Sequence, residues 1–350
     1  MAGGSRSSGL AASAAAPPAG GARGALARPL AVGLACLVAL VVASLVQGNA
    51  AVGTPDLAAA LVGGGPATAR LVLWQVRLPR VAAALACGAA LSVSGMTLQV
   101  ALGNDLASPG LMGVNSGAGL AVLVAALVAP GMAGPRLALA FAGAMAATGI
   151  VWLVSRATGT SRSTLVLVGV AVSSMFSAGI DAIVTVRPDL VADRVAFTLG
   201  GLQGVTVSEV LVALPALVVA LVAVAALSGG LELLPLGDET AAGLGLDVGR
   251  HRVLAVCASA ALAAVAVSLC GVIGFVGLVV PNAVRRVAGT GVRRGLVLCL
   301  VWGPCLLLAA DLLARVLFFP YERPGGRGLS FVGAPCFVWL LARRRRGWRR

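Results

Sequence analysis

Long apolar runs, broken at short intervals by Gly, Pro and Arg, dominate this chain, and their lengths predict helices that cross a bilayer. The first run, Leu30 to Val46, follows residues 1–29, which are Ala, Gly, Ser and Pro punctuated by Arg6, Arg23 and Arg28. That stretch buries too little to fold alone and reads as a disordered cytoplasmic tail. Basic residues ahead of an apolar run also fit a signal peptide, but 17 residues is longer than most such cores, so an uncleaved first span is the preferred reading. An outer loop is predicted over 48–80, with Pro55 and the break Gly63-Gly64-Gly65. Further spans are predicted at about 81–102, 113–129, 136–154, 164–185, 208–228, 253–270, 272–284, 295–316 and 328–342, followed by a basic tail at 343–350. The Gly-rich span at 272–284 is short enough to be tilted or partly re-entrant.

About ten spans place both termini on one side. Of the 26 arginines, 17 fall at ends and loops that this topology makes cytoplasmic, as the positive-inside rule requires. The composition agrees: of 350 residues 59% are hydrophobic and 11% charged, against about 25% charged in soluble proteins. The expected class is an all-α, polytopic membrane protein. A net charge of +14 would suggest nucleic acid in a soluble chain, but here topology accounts for it.

Residue types narrow the chemistry. The chain contains no lysine, which excludes a phosphate-loop lysine and a Schiff base. A single histidine, His251, and scattered acids offer no metal cluster and no nucleophile with its base, so neither catalysis nor a cofactor is expected. The seven cysteines form no C-x-x-C pair and read as small core residues. Span interiors also lack the paired acids and histidines of a proton-coupled carrier.

Arg77 and Arg80 flank Pro79 at the expected head of the second span, three apart on one face. They read either as snorkelling residues or as acceptors for an exposed acidic partner. Asp311 and Arg315, four apart, read as an intrahelical ion pair, because an acid in an apolar run needs a partner. The segment 229–252 is the most polar in the chain's interior. Asp238 there reads as an N-cap with Glu239 in the first turn, Gly243 and Gly245 end a short helix, and Asp247 caps a second. This pair of helices is either a solvated loop or a docking knob for a soluble subunit. Asn104, Asp105 and Leu106 lie in the break after span two, as a polar loop or a gate. Ala84-xxx-Gly88-xxx-Ser92 and Gly113-xxx-Gly117 permit close helix approach.

Seven stretches, in order over about residues 70–342, resemble the FecCD family of iron-siderophore and vitamin B12 importer permeases: RLPR (77–80), GAALSVSGMTLQ (88–99), NDLASPGLMGVNSGAG (104–119), LPLGDETAAGLGLDVG (234–249), GVIGFVGLVVPNAVRRVAG (271–289), DLLAR (311–315) and GAPCFVWLL (333–341). The resemblance implies a ten-helix permease of type II ABC importer architecture. It would dimerise with a copy or paralogue, bind two cytoplasmic ATPase subunits, and receive its ligand from an extracytoplasmic binding protein. By the same resemblance Arg77, Arg80 and Arg315 would dock that protein. Asp238, Glu239, Thr240, Gly243, Leu244 and Gly245 would couple to the ATPase, and Asn104, Asp105 and Leu106 would gate the inner side. Ferric siderophore is the implied cargo, with cobalamin or haem as alternatives. Three positions depart from the family pattern: Asp105, Asn282 and Cys336 stand where Pro, His and Phe are usual. The rivals from other classes are an ion-coupled secondary transporter, for which Asp311 is the candidate acid, and a membrane scaffold.

Overall fold

The computed structural model describes residues 21–47, 53–128, 133–158, 161–289 and 291–317, and among them every regular element is helical. In chain order these are α1 (Gly21–Val46), α2 (Thr54–Leu61), α3 (Ala67–Leu71), a π-helical turn (Val72–Arg77), α4 (Leu78–Leu102), α5 (Val114–Val128), α6 (Ala133–Thr158) and α7 (Arg162–Val186). There follow α8 (Val191–Leu199), α9 (Val207–Leu233), α10 (Asp238–Gly243), α11 (Val248–Cys270), α12 (Val276–Ala288) and α13 (Val292–Leu317). Seven membrane-crossing lengths of apolar helix are present among the described residues. Helices α5, of 15 residues, and α12, of 13, are shorter and occupy the places of the third and eighth expected spans. The tenth, at 328–342, lies outside the described residues, as do residues 1–20 of the expected tail, the tail at 343–350 and Cys336.

Two expectations are corrected. Residues 21–29 belong to α1 and not to a disordered tail, because Leu26 and Leu30 pack against the main core and the Trp302 indole donates to the Pro29 carbonyl at 3.3 Å. The stretch 48–80 is not a loop throughout: α2, α3 and the π turn fill it from Thr54, and the second span runs unbroken from Ala67 to Leu102. Two αL glycines, Gly63 and Gly65, reverse the chain between α2 and α3, and Leu57, Ala60, Ala69 and Leu73 close into a small buried cluster. Pro79 therefore stands inside a continuous helix instead of starting one. Its missing N–H and its ring disturb the preceding turn, and the six-residue π segment Val72–Arg77 absorbs the mismatch.

Helix α4 is the axis of the bundle, buried along nearly its whole length against α9, α11, α12 and α13. Small residues permit this. A Cβ on Gly95 would stand 1.8 Å from the Gly277 carbonyl oxygen on α12, and one on Gly88 would stand 2.6 Å from Pro304 N on α13. Ser92, one turn after Gly88, donates across the same contact to the Cys299 carbonyl at 2.8 Å. Gly117 of α5 meets Gly143 of α6 as closely, a Cβ there standing 2.4 Å from the Gly143 carbonyl oxygen. With hydrocarbon available on every outer face, such backbone contact is what association in a membrane rests on.

Helix α12 is a half-helix. Its 13 residues reach about 20 Å, short of the roughly 30 Å hydrocarbon thickness, so the non-helical link 271–275 lies at bilayer depth. Such backbone must be satisfied by protein. Helix α8 and the turn after it contribute here: Val272 N–H of the link donates to Phe197 O of α8 at 3.0 Å, and Gly201 N–H, just past α8, donates to Cys270 O at the end of α11 at 2.7 Å. The link ends at Phe275, whose φ of 66° is the one left-handed non-glycine conformation among the described residues.

The Gly95 contact yields the first prediction. Gly95→Ala, which must push α12 off α4, lowers the thermal midpoint of the detergent-solubilised chain, at a cost of about 1–3 kcal/mol for overpacking. Gly149→Ala on α6, whose Cβ meets nothing within 4 Å, leaves it unchanged or slightly raised. Fluorescence-detected size-exclusion melting curves measure both, and equal midpoints would refute the packing account.

Candidate functional site

Charged and polar side chains gather at the two ends of α4. At the end formed by α1's C-terminus, α4's first turns and α13's last, the Asp311 carboxylate is 2% exposed. Arg80 grips it with Nε at 3.2 Å from both oxygens and Nη2 at 2.8 Å from Oδ1. Arg315, one turn on along α13, adds its Nε at 2.9 Å and a second bond from Nη2. The i,i+4 pair expected from spacing is therefore present, but Arg80 from α4 is its third member.

The remaining donors of Arg315, with those of Arg77, cap α1. Arg315 reaches the Ser44 carbonyl at 3.3 Å, the Gln47 carbonyl at 3.2 Å and the Ser44 hydroxyl at 3.0 Å. Arg77 donates to the carbonyls of Leu45 and, at 2.8 Å, Val46. Guanidiniums here satisfy the orphan carbonyls at a helix C-terminus and complement its dipole. Arg77 and Arg80 are buried within the chain, at 4% and 7% exposed, so neither simply snorkels at the surface. Three guanidiniums face one carboxylate, leaving the cluster at +2, and the Arg77 Nη2 is buried with no partner among the described residues.

At the opposite end α4 closes with a Schellman motif: Gly103, at φ 59°, donates to Val100 O and Asn104 N–H to Gln99 O. Asn104 then organises the turn, its side-chain oxygen accepting from Leu106 N–H at 2.9 Å and its carbonyl from Ala107 N–H at 3.0 Å. Asp105 faces Arg285 of α12, with Oδ1 3.2 Å from Nη2. Leu106 is half-exposed.

The knob of 229–252 differs in detail from its expected form. Gly237, with φ of 100°, is the N-cap of α10, and Asp238 is its first helical residue. The Asp238 carboxylate is taken by Arg252, whose Nη2 lies 2.8 and 2.9 Å from its oxygens. There is one short helix, not two, because Asp247 caps α11 itself by accepting from Arg250 N–H at 3.0 Å. Ala241 roots α10 in the protein, while Glu239, Thr240, Gly243, Leu244 and Gly245 are exposed together with Leu236. Arg252, 3% exposed, also donates from Nε to the Ala101 carbonyl of α4 at 3.0 Å. One guanidinium thus ties α10, α11 and the end of α4 together.

Arg252 and Arg285 escape sequence reasoning because topology already accounts for inner-side arginines. A second omission is the face of α7 carrying Ser173, Ser177 and Asp181, spaced i, i+4, i+8. Ser173 and Ser177 line a cavity of about 350 Å³ with Asn115, Ser116, Arg194 and Thr198. Asp181 at its edge pairs with Arg194 at 2.8 Å. Beyond α7, Arg187 donates to Asp189 at 3.0 and 2.9 Å, and this holds the Asp189 carboxyl below its ordinary value.

Comparison with known proteins supplies the context for this geometry. The profile of the FecCD transport family matches residues 36–343. The chain is 40% identical over 275 residues to the Fe(3+) dicitrate transport system permease protein FecD of Escherichia coli, covering 78% of this chain and 86% of that one. It is 39% identical to the vitamin B12 import system permease protein BtuC of Vibrio cholerae, over 78% of this chain and 83% of that one. For the hemin transport system permease protein HmuU of Yersinia pestis the identity is 38%, over 78% and 84%. A solved structure described as an inward-facing conformation of a metal-chelate type ABC transporter superposes with a TM-score of 0.81 at 27% identity, over 90% of this chain and 98% of that one. With the family profile spanning nearly the whole membrane part, and relatives of this identity covered over most of their length, the chain belongs to the FecCD transport family.

Proposed function

We propose that this chain is the permease subunit of an ATP-driven importer in a bacterial cell membrane, carrying a ferric chelate of the siderophore class. The observation that carries the reading is α10, an exposed acidic and apolar knob rooted by Arg252 to the end of the central helix. A soluble ATPase seated on Glu239, Thr240, Leu244 and their neighbours would move Asp238, and through Arg252 the end of α4 and the turn Asn104–Leu106. That turn is the inner gate in this reading. Hydrolysis would reside in two partner ATPase subunits, and a second permease subunit, a copy or a paralogue, would complete the pathway.

Relatives named for dicitrate, vitamin B12 and hemin share this fold. An oxygen-rich chelate is favoured here by the amide and hydroxyls of Asn115, Ser116, Ser173, Ser177 and Thr198, which offer hydrogen bonds along one cavity. Against ion coupling, both oxygens of Asp311 are already taken by Arg80 and Arg315 and are not open to a transported ion.

The cluster of Arg77, Arg80 and Arg315 faces outward in this topology. Its contribution to docking an extracytoplasmic binding protein is the field of its net positive charge on acidic lobes, acting from within the protein as well as by contact.

Two predictions follow from these roles. Glu239→Arg, on the exposed knob, weakens co-purification of the ATPase about tenfold or more by placing like charge against a surface fitted to an acid, as read by pull-down at matched expression. Wild-type retention would show the knob to be a loop. Arg77→Gln spares the Asp311 clamp, whose loss would strand a buried acid at about 3–5 kcal/mol. It slows binding-protein association severalfold at low salt and little at high salt, by surface plasmon resonance, with ATPase retention intact. An association rate equal to wild type at low salt would remove the outer cluster from docking.

A further inference from the structure

The turn after α4 is fully capped by its own Schellman and Asn104 bonds, yet it is tied to α12 as well. Asn282 Nδ2 donates to the Asp105 carbonyl at 3.0 Å and to Leu278 O, one turn back on its own helix, at 2.8 Å. Arg285, three residues on and on the same face, brings Nη2 to 3.2 Å from the Asp105 carboxylate and to 3.2 Å from Asn282 Oδ1. The same nitrogen donates to Gln99 Oε1 on α4, while Nη1 lies 3.4 Å from Met96 Sδ. Gln99 returns a bond to α12 through Nε2 and the Gly277 carbonyl at 3.2 Å. The side chains of Arg285 and Asp105 are 20% and 38% exposed, so their attraction is only partly screened.

We propose that Arg285 and Asn282 are positioning residues that latch the turn 103–109 to α12, so that the inner gate and this half-helix move as one body. The latch joins Asp105, Asn282 and Arg285 into one contact. A side-chain amide at 282 supplies the donor that the Asp105 carbonyl receives, and a carboxylate at 105 supplies the charge that Arg285 meets. Helix α12 has the mechanical character the latch needs. It is short, begins at the left-handed Phe275 and bears on α4 through backbone contact at Gly277, so a small tilt about that contact carries its far end, and the turn with it. The inference rests on the turn being the gate.

Hydrogen–deuterium exchange on the assembled importer in lipid nanodiscs tests it. Amides of 103–109 should exchange roughly two- to fivefold faster in Asp105→Asn and in Arg285→Gln, the range for an ion pair at a part-exposed site. Asp105→Glu should stay within twofold of wild type, and the exchanged pair D105R with R285D should recover most of the protection. Peptides from the body of α4 and from α10 should not change. Wild-type exchange in Asp105→Asn, or equal acceleration throughout α4 and α12, overturns the latch. If the Arg285 variants fail to assemble, the Asn and Glu variants at 105, which keep the size or the charge of the native side chain, decide alone. ATP-dependent chelate uptake by the wild-type importer is measured separately, so a failed importer reading is seen as absent uptake with the exchange pattern intact.

Discussion

Asp311 is a carboxylate within an apolar helix, and a charge at that depth is tolerated only when the protein answers it. Arg80 and Arg315 do so from two helices, and the spare donors of Arg315, with those of Arg77, close the end of a third. The same constraint governs backbone at bilayer depth, where α8 takes the Val272 N–H of the non-helical link before α12. It governs the other end of α4 too, where Arg252 and Arg285 bind carboxylates while holding α4's terminal groups. Polar ties at both ends and backbone contact in the middle bind α4 to the helices around it.

This division of labour relates to transport. Interior contacts such as Gly95 with Gly277 have no slack, so α12 cannot slide freely over α4 and is confined to pivoting. The ties at the inner end are side-chain bonds to the part-exposed carboxylates of Asp238 and Asp105, which are more accessible to water than the buried Asp311. A rigid axis with switchable ties suits a protein driven from outside itself. In the proposed importer, motion of α10 is the input and the position of the turn 103–109 is the output, with Arg252 touching both Asp238 and Ala101 between them.

Most of the spans were legible because apolar length and interrupting Gly, Pro and Arg report directly on bilayer crossing. The start of the second span was not, since Pro79 imitates a helix N-terminus and nothing local announces the π turn that accommodates it. Asp311 with Arg315 was readable as an i,i+4 pair. Arg80 was not readable as its partner, being 231 positions away. The positions of Asp238 and Asp247 were read as caps; only Asp247 is one, because Arg252, a residue indistinguishable in sequence from other inner arginines, takes Asp238 instead. The hydroxyl face of α7 was missed for a different reason: serines in a small-residue helix carry the packing signal as readily as a pathway signal.

The central claim is that this chain conducts a ferric chelate but takes its energy from a partner's ATP hydrolysis. Reconstitution into proteoliposomes with its ATPase and binding-protein partners, followed by uptake of radiolabelled ferric siderophore, addresses it directly. Uptake should require ATP and both partners, and persist when an ionophore collapses all ion gradients. Uptake by the chain alone, driven by an ion gradient without ATP, would contradict the account.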